Sequence, residues 1–422
     1  MTPPFIIGLF LLLFALEFLF EFGLNELNLA YVRKWSQSKL PDFFAGAMSR
    51  EEYDKSVEYT LAKGKFQRWA AIYDALVTLW ILLGGILPAL DRFAQSVGAR
   101  LPSATHATGI VFCLSVGLIF SLLSLPTDLY STFVLEERFG FNKTTPRLYV
   151  IDKSKGLLLT LAIGVPFLFV VLWLMDAAGA YWWFWAFLFI LAFQLLMVVL
   201  YPSLIAPLFN KFEPLKDGEL RGRILALADQ LGFKTSGIFT MDGSRRSAHS
   251  NAYFTGLGKS KRIVLFDTLV EQMAVDQAVA VLAHEIGHYK LKHIRRMLVL
   301  RSLYLLAGLY VLSLLINYTP FFTAFGFQGA SHHAALVLFS LISGPATFYL
   351  HPLINYVSRK HEYEADDFAK QVLKDSKPME EALIKLTIKN LSNLTPHPWY
   401  SAYHYSHPTP AERIGALRGE RR

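Results

Sequence analysis

Apolar residues gather along this chain into seven stretches, each close to the 20 or so residues a helix needs to cross a bilayer. They fall at roughly 5–27, 69–90, 108–127, 156–176, 181–202, 297–317 and 333–354. The stretch 108–127 has no Asp, Glu, Lys or Arg before Asp128, whereas the first carries Glu17 and Glu21 and the sixth carries Arg301. No Lys or Arg precedes the first stretch, and it runs on through Glu26, so it reads as a retained membrane helix rather than a secretory leader. Near Tyr201-Pro202 the pattern changes to mixed polar sequence. Beyond it, Gly218 to Gly232 has helical periodicity around Leu220, Ile224, Leu227, Ala228 and Leu231. Short strand-like runs follow at Gly237–Met241, Ala252–Thr255 and Arg262–Phe266, and then a single helix is expected over Glu271–Lys292. The pattern predicts a mainly α polytopic membrane protein in two parts. A five-helix membrane domain spans 1–202, and an α+β domain that includes spans six and seven occupies 203–422.

Composition agrees. Of 422 residues, 53% are hydrophobic and only 18% charged, below the quarter usual in soluble domains, which excludes a disordered chain and an ordinary soluble enzyme. The one cysteine, Cys113, excludes a disulfide scaffold and is expected to be a buried small hydrophobe. A net charge of +8 raises the question of nucleic acid, which the distribution of basic residues answers. The N-terminal tail has 0 Lys and Arg, the successive connections have 8, 2, 5, 0, 14 and 0, and the C-terminal tail has 11. This alternation follows the positive-inside rule, so 203–296 and 355–422 are expected on the cytosolic side of a bacterial inner membrane or the endoplasmic reticulum. No basic block interleaved with aromatics suggests nucleic-acid binding.

The chemistry lies in His284-Glu285-Ile286-Gly287-His288, an HExxH motif. On a helix, positions i and i+4 share a face, so both imidazoles can bind one zinc ion while Glu285 acts on its water. A third ligand is required. His293 stands one residue short of the metzincin offset and reads as a solvated histidine, so a downstream carboxylate is the better candidate. Arg359 to Asp366 supplies Glu362 and Asp366, four apart on one helical face, with Glu364 pointing about 200° away. Glu362 suits a zinc ligand and Asp366 an acceptor for a ligand histidine.

These residues and the seven spans resemble the type I CAAX prenyl endopeptidases, integral-membrane zinc proteases. The resemblance extends through Leu125-Pro126, Tyr130 to Phe133, Glu136-Glu137, Gly140 to Lys143, Pro207 to Phe212 and Asn251 to Phe254. It implies seven helices around a chamber capped by a zincin-like protease domain, with one Zn2+ on His284, His288 and Glu362, and Glu285 as base. It further implies Asn251 in the substrate groove, and His407 and Arg413 facing the substrate or the transition state. Glu17 and Glu21 would face either that chamber or a membrane interface. Expected partners are the lipid bilayer and a peptide or protein substrate, prenylated if the resemblance extends to specificity. Two other readings stay open: a quality-control protease with no prenyl requirement, and a non-catalytic channel or transporter with a structural metal.

Overall fold

The computed structural model describes residues 2–37, 40, 42–101, 104–256 and 261–420. Pro3 and Pro4 open helix α1 (Pro3–Ser36) at positions where no backbone donor is needed. Helix α2 (Arg50–Leu83) starts from a reciprocal cap between Ser49 and Glu52. It stops at Gly84-Gly85, where Gly85 takes φ 76°, and α3 (Ile86–Gly98) leaves at 56° to it. The span expected over 69–90 is therefore a bent pair rather than one straight helix. Only a residue without Cβ adopts that left-handed turn cheaply. Helix α4 (Ala104–Tyr130) continues through a π turn to Glu136, and α5 (Pro146–Leu159) joins α6 (Val165–Ala177) through another. Helix α7 (Trp182–Leu200) runs through a third π turn, Tyr201–Ile205, into α8 (Ala206–Phe209). The chain thus stays helical across Tyr201-Pro202.

The next segment builds a four-stranded sheet in the order β1-β2-β4-β3, from β1 (Phe212–Pro214), β2 (Gly237–Met241), β3 (Ala252–Thr255) and β4 (Arg262–Phe266). Strands β2 and β4 are parallel, and the flanking pairs are antiparallel. Three strands coincide with the runs expected from sequence, and β1 is an addition. Helix α9 (Glu219–Gln230) matches the periodic stretch. The helix expected over Glu271–Lys292 is two: α10 (Asp267–Gln272) and α11 (Val275–Lys290), parted by extended backbone at Met273 and Ala274. Gln277 accepts from the Ala274 amide at 3.2 Å, which starts α11 afresh. Ala278, Leu282 and Ile286 bury one stripe of α11 with Ile263 and Leu265 of β4.

The chain then forms α12 (His293–Leu315), α13 (Thr319–Thr323), α14 (His332–Thr347) and α15 (His351–Leu373). Three shorter helices follow: α16 (Lys377–Lys389), α17 (Pro398–His404) and α18 (Pro410–Leu417). Among the described residues six helical segments are long and apolar enough to cross a membrane, seven if the bent pair counts as one. Cys113 is half-buried at the edge of their apolar core rather than enclosed in it. In the apolar windows of Pro3–Ser36 and Gly179–Phe209 only 6% of residues are buried, so these helices are not the centre of a tight bundle. Their exposed apolar surface is what a lipid-facing helix presents. A cavity of about 1170 Å³ opens between α2, the end of α4 and the sheet domain, and reaches His407 and Arg413.

Candidate metal centre

Three elements converge here. With one stripe of α11 committed to the sheet, His284 and His288 project together from another. Gly287 then lets α15 come close: a Cβ there would sit 3.3 Å from the Ala365 Cα and 3.1 Å from the Phe368 ring. This approach carries Glu362 to both imidazoles. The His284 and His288 Nε2 atoms are 3.1 Å apart; Glu362 Oε2 lies 3.4 Å from the first and its Oε1 3.3 Å from the second. Among the described residues this is the only trio of His, Cys, Asp or Glu so convergent.

The donor set fits zinc. Ligand atoms about 2.0–2.2 Å from a tetrahedral zinc stand roughly 3.3–3.5 Å from one another, and one donor atom from each of the three residues lies within 4.8 Å of the other two. Glu362 Oε2 is buried without a hydrogen bond, an arrangement that a cation would satisfy.

Behind the trio lies a buried polar layer. Asp366 Oδ1 is 2.8 Å from His284 Nδ1. Arg413, from α18, forks onto Asp366, with Nε 2.8 Å from Oδ2 and Nη2 2.6 Å from Oδ1, and its Nη1 is 3.3 Å from Glu362. Asp366 is 1% exposed and Arg413 8%, so each depends on the other for charge compensation. Arg413 is thus engaged mainly with these carboxylates, although it also borders the cavity. His407 is the open counterpart: its side chain is 63% exposed and its Nε2 lies 3.2 Å from Glu362.

Burial and the Arg413 charge push the His284 imidazolium down, but hydrogen bonds to Asp366 and Glu362 outweigh them and hold its pKa up, at about 9. Burial raises the Glu285 carboxyl, opposed by the two neighbouring imidazoles. Asn251 is exposed at the start of β3, its side chain accepting from the Ala252 amide and its carbonyl from the Phe266 amide.

His293 is not solvated. It is 2% exposed, and its Nδ1 is 3.0 Å from His288 Nδ1. The helix ends at Lys290 instead of continuing, and Lys292, at φ 63°, turns the chain back so that His293 opens α12 against His288. The cavity wall also carries a chain unnoticed in the sequence: Tyr59 donates to Glu136 at 2.7 Å, Glu136 lies 3.5 Å from His249, and His249 lies 3.1 Å from Asn390. These residues are scattered over more than 300 positions, with no local spacing to mark them. Glu21 reaches His404, another cavity residue, at 3.3 Å.

The sequence matches the CAAX prenyl protease N-terminal family, described by five membrane helices, over residues 31–211, and peptidase family M48 over residues 214–421. It is 39% identical over 425 aligned residues to CAAX prenyl protease 1 of Saccharomyces cerevisiae, covering 95% of this chain and 92% of that one. It is 40% identical over 387 residues to the CAAX prenyl protease 1 homolog of Arabidopsis thaliana, covering 90% and 91%. The crystal structure of S. mikatae Ste24p superposes with a TM-score of 0.89 at 37% identity, covering 97% of this chain and 98% of that one.

Proposed function

Since the chain belongs to peptidase family M48 and is a multi-pass membrane metalloendopeptidase, we propose that it uses zinc to hydrolyse peptide bonds near the C-terminus of prenylated CAAX-type substrates. The convergence of His284, His288 and Glu362 beside a large cavity carries the reading of zinc chemistry. The substrate class comes from the relatives called CAAX prenyl proteases. Residues 1–202 serve as the membrane domain and 203–422 as the protease domain, whose segments 203–296 and 355–422 face the cytosol by the alternation of Lys and Arg.

His284, His288 and Glu362 hold the metal. When bound, zinc acidifies water and polarises the scissile carbonyl. Glu285, with its raised pKa, accepts the proton of the attacking water and returns it to the leaving amine. Asp366 accepts from His284 Nδ1–H, which leaves the Nε2 lone pair free for the metal. Arg413 neutralises Asp366 within the protein. His407, open to the cavity, donates to the carbonyl oxygen as it gains negative charge. Strand β3 ends the sheet beyond β4, so an extended substrate can add to its outer edge, beginning at Asn251.

Matched farnesylated and unprenylated peptides test the substrate class. The purified protein should cleave the farnesylated peptide near its C-terminus, lose activity to a chelator and regain it with zinc. Equal cleavage of both peptides would replace the prenyl reading with general quality control, and no cleavage of either would overturn proteolysis.

The His284 pKa of about 9 also has a consequence for metal loading. Its raised value means that the metal-free imidazole is protonated at neutral pH, and zinc must displace that proton. Zinc affinity should therefore rise roughly tenfold per pH unit from neutrality and level off near pH 9. Competition titration against a chelator across that range checks the slope, and a flat profile would contradict it.

A further inference from the structure

Each ligand histidine has a second ring nitrogen, and the two are held differently. His284 Nδ1 meets Asp366, a role open to sequence reading. His288 Nδ1 meets another imidazole, that of His293, at 3.0 Å, and His293 Nε2 in turn lies 2.9 Å from Glu364 Oε2. The His293 ring stacks on His361 at 4.0 Å between centroids and 10° between planes, which fixes its plane. Arg296 and Lys360 approach the same Glu364 carboxylate at 3.6 and 3.9 Å, holding it in place.

The proton positions in this chain follow from the chemistry. A His288 that offers Nε2 to a metal must carry its proton on Nδ1 and donate it. His293 Nδ1 must then be the acceptor, which puts the His293 proton on Nε2, facing an acceptor-only carboxylate. Glu364, His293 and His288 are consistent along the whole line, with one donor and one acceptor at each contact. The geometry points to His293 and Glu364 as positioning residues for the metal site, orienting His288 and selecting its metal-binding tautomer. This rests on the assignment of His288 as a zinc ligand. It gives each ligand histidine a carboxylate-anchored support, direct for His284 and relayed through an imidazole for His288.

Three variants of the full-length protein in detergent test it, with zinc affinity measured by chelator competition and kcat and KM measured on zinc-saturated enzyme. His293→Phe keeps a ring to stack on His361 but removes the acceptor. Zinc affinity should fall about 10- to 100-fold, the usual cost of losing such a support, and kcat should fall with KM within about twofold of wild type. His293→Asn places a carbonyl oxygen near the lost Nδ1 and should restore affinity to within about threefold of wild type. Glu364→Gln, on the more exposed end of the line, keeps an acceptor without its charge and should cost less than His293→Phe. Thermal unfolding of the metal-free variants shows whether they fold as wild type does. Wild-type zinc affinity in His293→Phe would overturn the inference, as would equal losses in folded His293→Phe and His293→Asn. Failure of wild type itself to bind zinc, or undiminished binding in His288→Ala, would instead overturn the ligand assignment on which it rests.

Discussion

Glu285→Gln should lower turnover by about 10²- to 10⁴-fold while the protein still binds one zinc per chain. The substitution changes neither the shape of the side chain nor any of the three convergent donors, His284, His288 and Glu362. It removes only the ability to accept a proton. Helical geometry places residue 285 about 100° around α11 from His284, off the face that gathers the metal donors. Burial raises its pKa, bringing proton uptake and return closer to neutral pH than an exposed carboxylate would allow. Single-turnover cleavage and zinc content measured on the same preparation decide the point. An active, zinc-loaded glutamine variant would remove Glu285 from the role of base.

The second large effect concerns stability. Arg413→Ala should destabilise the protease domain by about 3–5 kcal/mol, because it leaves the Asp366 carboxylate buried without its counter-charge. Thermal unfolding in detergent should show a clear drop in midpoint, and zinc affinity should fall as Asp366 loses its fixed position behind His284. Arg413→Lys should recover part of the loss only, since an ammonium cannot fork onto both carboxylate oxygens. Adding Asp366→Asn to Arg413→Ala should recover midpoint without recovering zinc affinity. A change in midpoint no larger than that of an exposed Arg→Ala variant would contradict this account.

Much of the architecture was legible because its signals are local. Membrane helices need about 20 apolar residues whatever surrounds them, and β2, β3 and β4 are short β-prone runs between Gly- and Ser-rich turns. His284 and His288 were legible for the same reason, since i and i+4 fall on one helix face. Backbone events account for the departures. The break between α10 and α11 falls at Met273 and Ala274, which carry neither Gly nor Pro to announce it. The bend after α2 did have a signal in Gly84-Gly85, masked by the continuous apolar run around it. The offset of His293 from His288 describes a continuing helix, whereas the chain turns back at Lys292 and sets His293 against His288. Arg413 lies 47 residues beyond Asp366, and Tyr59, Glu136, His249 and Asn390 are further dispersed, so only folding brings them together. That Arg413 forks onto Asp366 while also bordering the cavity belongs to this same tertiary level.

Everything proposed for this protein turns on two histidines of one helix and a glutamate of another holding a catalytic zinc. X-ray absorption at the zinc edge of the purified protein tests it most directly. One zinc per chain is expected, with two imidazole nitrogens and a carboxylate oxygen at about 2.0–2.2 Å, and stoichiometric zinc should be lost in Glu362→Ala. A wild-type protein without stoichiometric zinc, or a coordination shell unchanged in Glu362→Ala, would contradict it.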